Sequence, residues 1–211
     1  MFATRGNGVR TITWEAGMQI DGAEFTLLKD YDKGKFHLLS FEGKIIYLDN
    51  RVRRVLVDPC REAMRTALKT DLGLILATAV CAGISAAGTF LRGRRAKKRG
   101  EDRLFFIDFV SEYMALTKQK PEPPGTHWAE WLYSHVRCGL AHNFAIETGG
   151  VEYEAKSYTE IKSYGPEISP LELLEDFARG WMSYLEAVRS HGKGVGLGQL
   201  FEGRFDQVFV D

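Results

Sequence analysis

Tyr133 to Phe144 reads Y-S-H-V-R-C-G-L-A-H-N-F. It closes a Trp-rich, otherwise apolar stretch that begins at Thr126 and is expected to be one helix. Near the end of that helix stand Arg137 and His142. Arginine keeps its charge and grips phosphate oxygens with a planar fork. Histidine takes and returns a proton near neutrality, so the two together can handle a phosphodiester.

Working outward, the clearest helix start is Ser169-Pro170-Leu171-Glu172, a capping box with proline at the first helical position. Leu174, Phe177, Trp181, Tyr184, Leu185 and Val188 follow on one face, and the glycines from Gly192 to Gly198 end the helix. A further helix begins at Glu101 and Asp102, carries Phe106, Phe109, Val110, Tyr113 and Leu116 at helical spacing, and is stopped by Pro121, Pro123 and Pro124. Asp58-Pro59 predicts a helix start, running toward Lys69. Leu72 to Leu91 carries no charge and is followed by R-G-R-R-A-K-K-R-G, which has the length and flanks of a membrane span. Gly73, Thr78, Gly83, Ser85, Gly88 and Thr89 dilute its leucines, so a core helix packed closely on its neighbours is expected, with no membrane partner. The basic run reads as a solvated loop, with phosphate contact as the alternative.

The remaining segments read as strands. Val9–Trp14, Lys35–Phe41, Lys44–Leu48 and Val52–Val57 make residues 1–57 a β-rich leader packed on the main body, residues 58–211. A hairpin is expected at about 145–165 around Gly149-Gly150, and a C-terminal tail, 192–211, as a flexible linker to a strand at Phe205–Val210. The fold class is α+β, mainly α, with a bundle of about five helices.

The spacing of Arg137 and His142, together with Gly83 to Gly93, Phe106-x-x-Phe109-Val110 and Trp131-Leu-Tyr-x-x-Val136-Arg137-Cys138-Gly139-Leu140, resembles the HEPN superfamily over roughly residues 59–190. It is similar to bacterial HEPN-like families of unknown function. The resemblance implies a cofactor-free, metal-independent endoribonuclease whose catalytic residues are Arg137 and His142. It implies a homodimer in which two motifs meet across a two-fold axis, and a defence or toxin-antitoxin setting with an antitoxin or other protein partner. Catalytic members commonly carry Asn, Asp or His after the arginine, where this chain has Cys138. The alternative is a catalytically inactive domain of the same kind that binds nucleotide, RNA or protein.

In the ribonuclease reading His142 moves the proton of the RNA 2′-hydroxyl or protonates the leaving oxygen, and Arg137 neutralises the phosphorane. Asn143 and Cys138 are candidate substrate contacts beside them, and Trp131 and Tyr133 candidate stacking surfaces for bases. On an ideal helix Arg137 and His142 lie about 140° apart, so they converge only if the helix distorts near Gly139 or two subunits contribute. A metal alternative places His135, Cys138 and His142 on one helical face. The arginine reading without chemistry pairs Arg137 with Glu112 or Glu130.

Lys plus Arg and Asp plus Glu both number 28, so no global positive charge draws nucleic acid and any RNA contact needs a local patch. The three cysteines lack paired spacing and no secretory leader pattern opens the chain, so a cytoplasmic protein with free thiols is expected. Phosphate-loop, nucleophile-elbow, H-E-x-x-H and C-x-x-C patterns are absent.

Overall fold

The computed structural model describes residues 18–25, 33–66, 72–143, 146, 148–152 and 157–210. Among them the chain is α+β and mainly α, with a small three-stranded sheet. A short hairpin, β1 (Met18–Ile20) and β2 (Ala23–Phe25), precedes α1 (Lys33–Phe36) and α2 (Phe41–Val52). The helical run continues through a π-turn at Arg53–Val57 into α3 (Asp58–Thr66). Next come α4 (Leu72–Leu91), α5 (Glu101–Tyr113) and a 3₁₀ turn at Ala115–Lys118. The motif helix is α6 (Trp128–Trp131), a second π-turn at Leu132–Arg137, and α7 (Cys138–Asn143). Strands β3 (Gly150–Val151), β4 (Thr159–Lys162) and β5 (Gly165–Ile168) lead to α8 (Pro170–His191) and α9 (Gly196–Phe209).

The uncharged helix α4 packs against α5, α8, α9 and the π-turn of the motif helix. Its length and composition would also suit a membrane, but Leu76, Ala77, Val80, Cys81, Ile84 and Ala87 are buried among these neighbours. Glycine permits the closest of these contacts. A Cβ on Gly88 would lie 2.4 Å from the Phe105 carbonyl oxygen of α5, so only a hydrogen fits between the two backbones.

The helices α5 and α8 carry the faces expected of them: Phe106, Phe109 and Val110, and Leu174, Phe177, Trp181, Tyr184, Leu185 and Val188, are all buried. Ser169 caps α8 by accepting from Glu172 N at 3.3 Å. Its own N–H donates to the Tyr158 carbonyl at 2.9 Å, tying the cap to the sheet region. Further along α8, Asp176 is 2% exposed and accepts from Ala115 N, Leu116 N and Tyr158 Oη, each at 2.9 Å. One carboxylate thus holds the 3₁₀ turn after α5 and the segment before β4 against α8.

The structure corrects several expectations. Residues 35–57 form no strand: Lys35 and Phe36 belong to α1, Lys44–Leu48 lie inside α2, and Val52–Val57 is helix end and π-turn. Ser40 caps α2 by accepting from Gly43 N at 2.9 Å. Phe41, Ile45, Leu48 and Val52 then recur at helical spacing, and their β-favouring composition masked that period. A helix segment does begin at Asp58, as expected, but as the continuation of an unbroken helical run from Phe41 and not after a strand. Pro59 cannot donate to the Val55 carbonyl and its ring crowds it, and the π-turn just before it makes room. That turn closes with Asp58 N–H on the Arg53 carbonyl.

The expected final strand at Phe205–Val210 is also helix. Phe201, Phe205 and Phe209 stand four apart in α9 and are all buried. They join Phe36 and Tyr47 in one aromatic cluster. The hairpin does not turn at Gly149-Gly150: β4 and β5 form it around Ser163-Tyr164, while β3 pairs parallel to β5. Val9–Trp14, and residues 153–156 of the expected hairpin, lie outside the described residues. A hairpin not anticipated is β1–β2, whose Asp21-Gly22 turn has φ of 50° and 78°, the Asp-Gly signature of a type I′ turn.

Replacing Asp176 with Ala orphans two backbone donors and the Tyr158 hydroxyl, at a cost of about 3–5 kcal/mol. Urea unfolding should show the midpoint falling with an unchanged slope, and Asp176→Asn, which keeps one acceptor oxygen, should lose less.

Candidate functional site

The motif residues sit on one continuous helical run that changes pitch in its middle. In the π-turn Leu132–Arg137 the Cys138 N–H bonds to the Tyr133 carbonyl, one residue farther back than in an α-helix. Leu132 and Val136 are fully buried and Leu140 nearly so, which anchors the apolar side of the run. Turns of this kind occur often at functional sites. From Cys138 the helix is regular again to Asn143. The distortion therefore ends at Arg137 and does not lie at Gly139. It leaves Arg137 and His142 about 140° apart around the axis. The side chains of His142 and Asn143 lie outside the described residues.

Arg137 is half-buried in a defined setting. Its guanidinium lies over the Tyr133 ring at 5.3 Å, and its Nη1 donates to Cys138 Sγ at 3.8 Å. Its Nη2 approaches Asp102 Oδ2 to 3.8 Å, longer than a hydrogen-bonded pair. The partner carboxylate is therefore Asp102 of α5, and Glu130 pairs instead with Arg103. Tyr133 Oη donates to Asp102 Oδ2 at 2.6 Å. That hydrogen bond, aided by the Arg137 charge, holds the Asp102 carboxyl below its usual range, while burial and the same bond push the Tyr133 phenol up. Nearby, burial pushes the Cys81 thiol up to about 12 and keeps it neutral.

The other candidates divide. Trp131 is 2% exposed and Tyr133 8%, so both belong to the core, and neither is a surface on which bases could stack. His135 is half-buried, within 3.1 Å of Thr148 Oγ1 and beside the Trp131 ring, so it turns to the loop before β3. Among the described residues no group of three His, Cys, Asp or Glu side chains could hold a metal ion; the His142 ring of the metal alternative lies outside them. Asp102 is the site residue that sequence reasoning missed. Its only sequence signal was its place in the first turn of a helix.

The basic run is more than a solvated loop. Arg92 pairs with Asp108, and Arg94 makes two 2.9 Å bonds to Glu101 while lying over Phe105 at 5.0 Å. Glu101 Oε2 also accepts from Lys97 N at 2.7 Å and Lys98 N at 3.1 Å. These bonds pin the loop onto the N-terminus of α5, one residue from Asp102, and leave Arg95, Lys97, Lys98 and Arg99 exposed. Asp102 touches both Tyr133 and Arg137, so the loop carrying the basic residues feeds directly into the motif's surroundings.

In comparisons with protein-family models, with curated proteins and with solved structures, no match to this chain was found.

Two outcomes follow from these contacts. The Arg94 bond, then the Lys97 and Lys98 amides, holds the Glu101 carboxyl at about 2 against an ordinary 4.5. A lowered folded-state pKa stabilises above the unfolded value and is lost as pH falls through the folded one. Protection of the Lys97 and Lys98 amides, taken relative to their intrinsic exchange rates, should therefore fall between pH 4.5 and about 2, and Glu101→Gln should remove that fall. In Tyr133→Phe the Asp102 carboxyl loses its main hydrogen-bond donor, so its pKa should rise in a carboxyl-carbon NMR titration; an unmoved pKa would refute the assignment.

Proposed function

We propose that this protein is a metal-independent endoribonuclease of the HEPN type, acting as a homodimer whose composite site uses Arg137 and His142 of both copies. The observation that carries this reading is the setting of Arg137. Tyr133 and Asp102 orient the guanidinium, its side chain is 30% exposed, and the exposed basic loop enters α5 beside it. A neutral chain that handles RNA needs such a local patch. An arginine steadied by a loose carboxylate contact keeps donors for a phosphate while being held in place. The regular helix through α7 separates Arg137 from His142, so the chemistry needs two chains. In the reaction His142 transfers the proton at the 2′-hydroxyl or the leaving 5′-oxygen, and Arg137 balances the charge of the phosphorane.

A second reading is favoured by the same contacts taken as an end in themselves. Arg137 already has Asp102, Tyr133 and Cys138 as partners, and the domain then binds RNA, nucleotide or a protein such as an antitoxin without cleaving.

Cleavage of a mixed RNA pool in EDTA separates the two. The enzyme cuts, His142→Ala lowers the rate by about 10²–10⁴ at unchanged oligomeric state, and Arg137→Ala does likewise. Replacing Lys97, Lys98 and Arg99 together by Gln lowers RNA affinity and flattens its salt dependence by about one log unit per lost phosphate contact. An intact dimer that leaves RNA uncut establishes the second reading.

A further inference from the structure

Where α4 ends and the basic loop begins, α9 contributes an arginine whose charge is not balanced. Arg204 is 8% exposed. Its Nε donates to Thr89 Oγ1 of α4 at 3.1 Å and its Nη1 to Gln207 Oε1 at 3.3 Å, and both partners are neutral. A guanidinium has five N–H donors, so these two bonds leave others unused, and Nη2 keeps contact with solvent. The acids of the surrounding elements are engaged elsewhere: Glu202 and Asp206 of α9 with Lys44, Glu101 and Asp108 of α5 with Arg94 and Arg92. Among the described residues no carboxylate forms an ion pair with Arg204.

A buried charge is ordinarily paired, because taking it from water is costly. The charged neighbour that acts on Arg204 has the same sign. Gln207 Nε2 reaches the Gly93 carbonyl at 3.5 Å, which ties α9 to the start of the loop, and Arg95 stands two residues further on, exposed. Burial, and after it the Arg95 charge, hold the Arg204 guanidinium below the usual arginine range. Thr89 lies in the last turn of α4, where a helix dipole supplies about half a negative charge. That falls short of two arginines.

We propose that Arg204 and Arg95 hold a dianionic phosphate, free or at the end of a larger molecule, at the junction of α4, α9 and the basic loop. Near neutrality such a group carries a charge of about −1.5 to −2, and its oxygens match the planar donor edge of a guanidinium. A carboxylate or a backbone phosphodiester carries one charge. None of these residues belongs to the motif helix, so the site stands whether or not the motif cuts RNA.

The Arg204 Nε–H, held on Thr89, gives an NMR resonance identified by its absence from Arg204→Lys. In the wild-type full chain at constant ionic strength, above the second phosphate pKa of about 6, inorganic phosphate should shift it saturably. Its Kd should lie at least about tenfold below that of acetate. Arg95→Gln, at an exposed position, should weaken phosphate by about tenfold or more, the loss of one charge-assisted contact. Tetrathymidylate lacks the 2′-hydroxyl, so the motif cannot cut it, and it separates the two sources. Tighter binding of its 5′-phosphorylated form than of inorganic phosphate makes the ligand a terminal phosphate, and weaker binding makes it the free ion; the site stands in both cases. An unmoved resonance leaves Arg204 compensated by α4 alone and overturns the proposal. So do acetate binding as tightly as phosphate, an unchanged affinity in Arg95→Gln, or unphosphorylated tetrathymidylate moving the resonance as strongly as its phosphorylated form.

Discussion

A twenty-residue helix without a single charge, α4, sets the terms for everything around it. Such a helix must be covered, and its glycines and alanines determine how closely. At Gly88 the backbone of α5 comes so near that a methyl group would strike the Phe105 carbonyl, and at Gly83 a Cβ would meet Leu56 at 2.5 Å. The close approach to α5 fixes where Asp102 stands, and Asp102 in turn orients Arg137 through Tyr133. The position of the motif arginine is therefore a consequence of packing on α4. Beside Gly83, where Ala82 and Ala86 face the first π-turn and α2, the packing leaves a cavity.

Charge is distributed with a similar economy. The chain is neutral overall, but its ion pairs hold particular elements together. Arg61 meets Glu175 in a two-point contact at 2.7 and 2.6 Å that fastens α3 to α8. Lys44, buried in α2, reaches Asp206 of α9 at 2.8 Å, beside the aromatic cluster. Exposed pairs contribute little each, so the buried Lys44 contact and the two-point Arg61 contact carry more than their number suggests. The loop at Arg95, Lys97, Lys98 and Arg99 is different, because its side chains stay in solvent while its backbone is fixed by Glu101.

How much of this was legible depended on whether a signal was local. The α8 start at Ser169-Pro170, its apolar face, and the α5 stripe were readable because capping and period lie within a few residues. The helices α2 and α9 were misread because Phe, Ile and Val favour strands by composition, and the period carried by Phe41, Ile45 and Leu48, or by Phe201, Phe205 and Phe209, was the better guide. The Asp21-Gly22 turn was present in the sequence and overlooked. Other features were beyond local reading. Nothing near Arg137 in sequence names Asp102, and no motif announces a π-turn at Leu132–Arg137. The carboxylate of Asp176 serves backbone groups on a distant turn, which only the folded chain brings within reach.

The regular geometry after Cys138 constrains any chemistry assigned to the motif. The π-turn that ends at Arg137 sets that residue over the Tyr133 ring while Val136 and Leu140 stay in the core. It leaves the angle between Arg137 and His142 as an α-helix sets it, with the two residues on different sides of the axis. Repacking α7 to bring them together would pull Leu140 out of the core, and burial of a leucine side chain is worth about 1.5–3 kcal/mol. Pairing Arg137 of one copy with His142 of another asks for no such shift of Leu140. For the proposed reaction, association of two chains is therefore the less costly route to a working site.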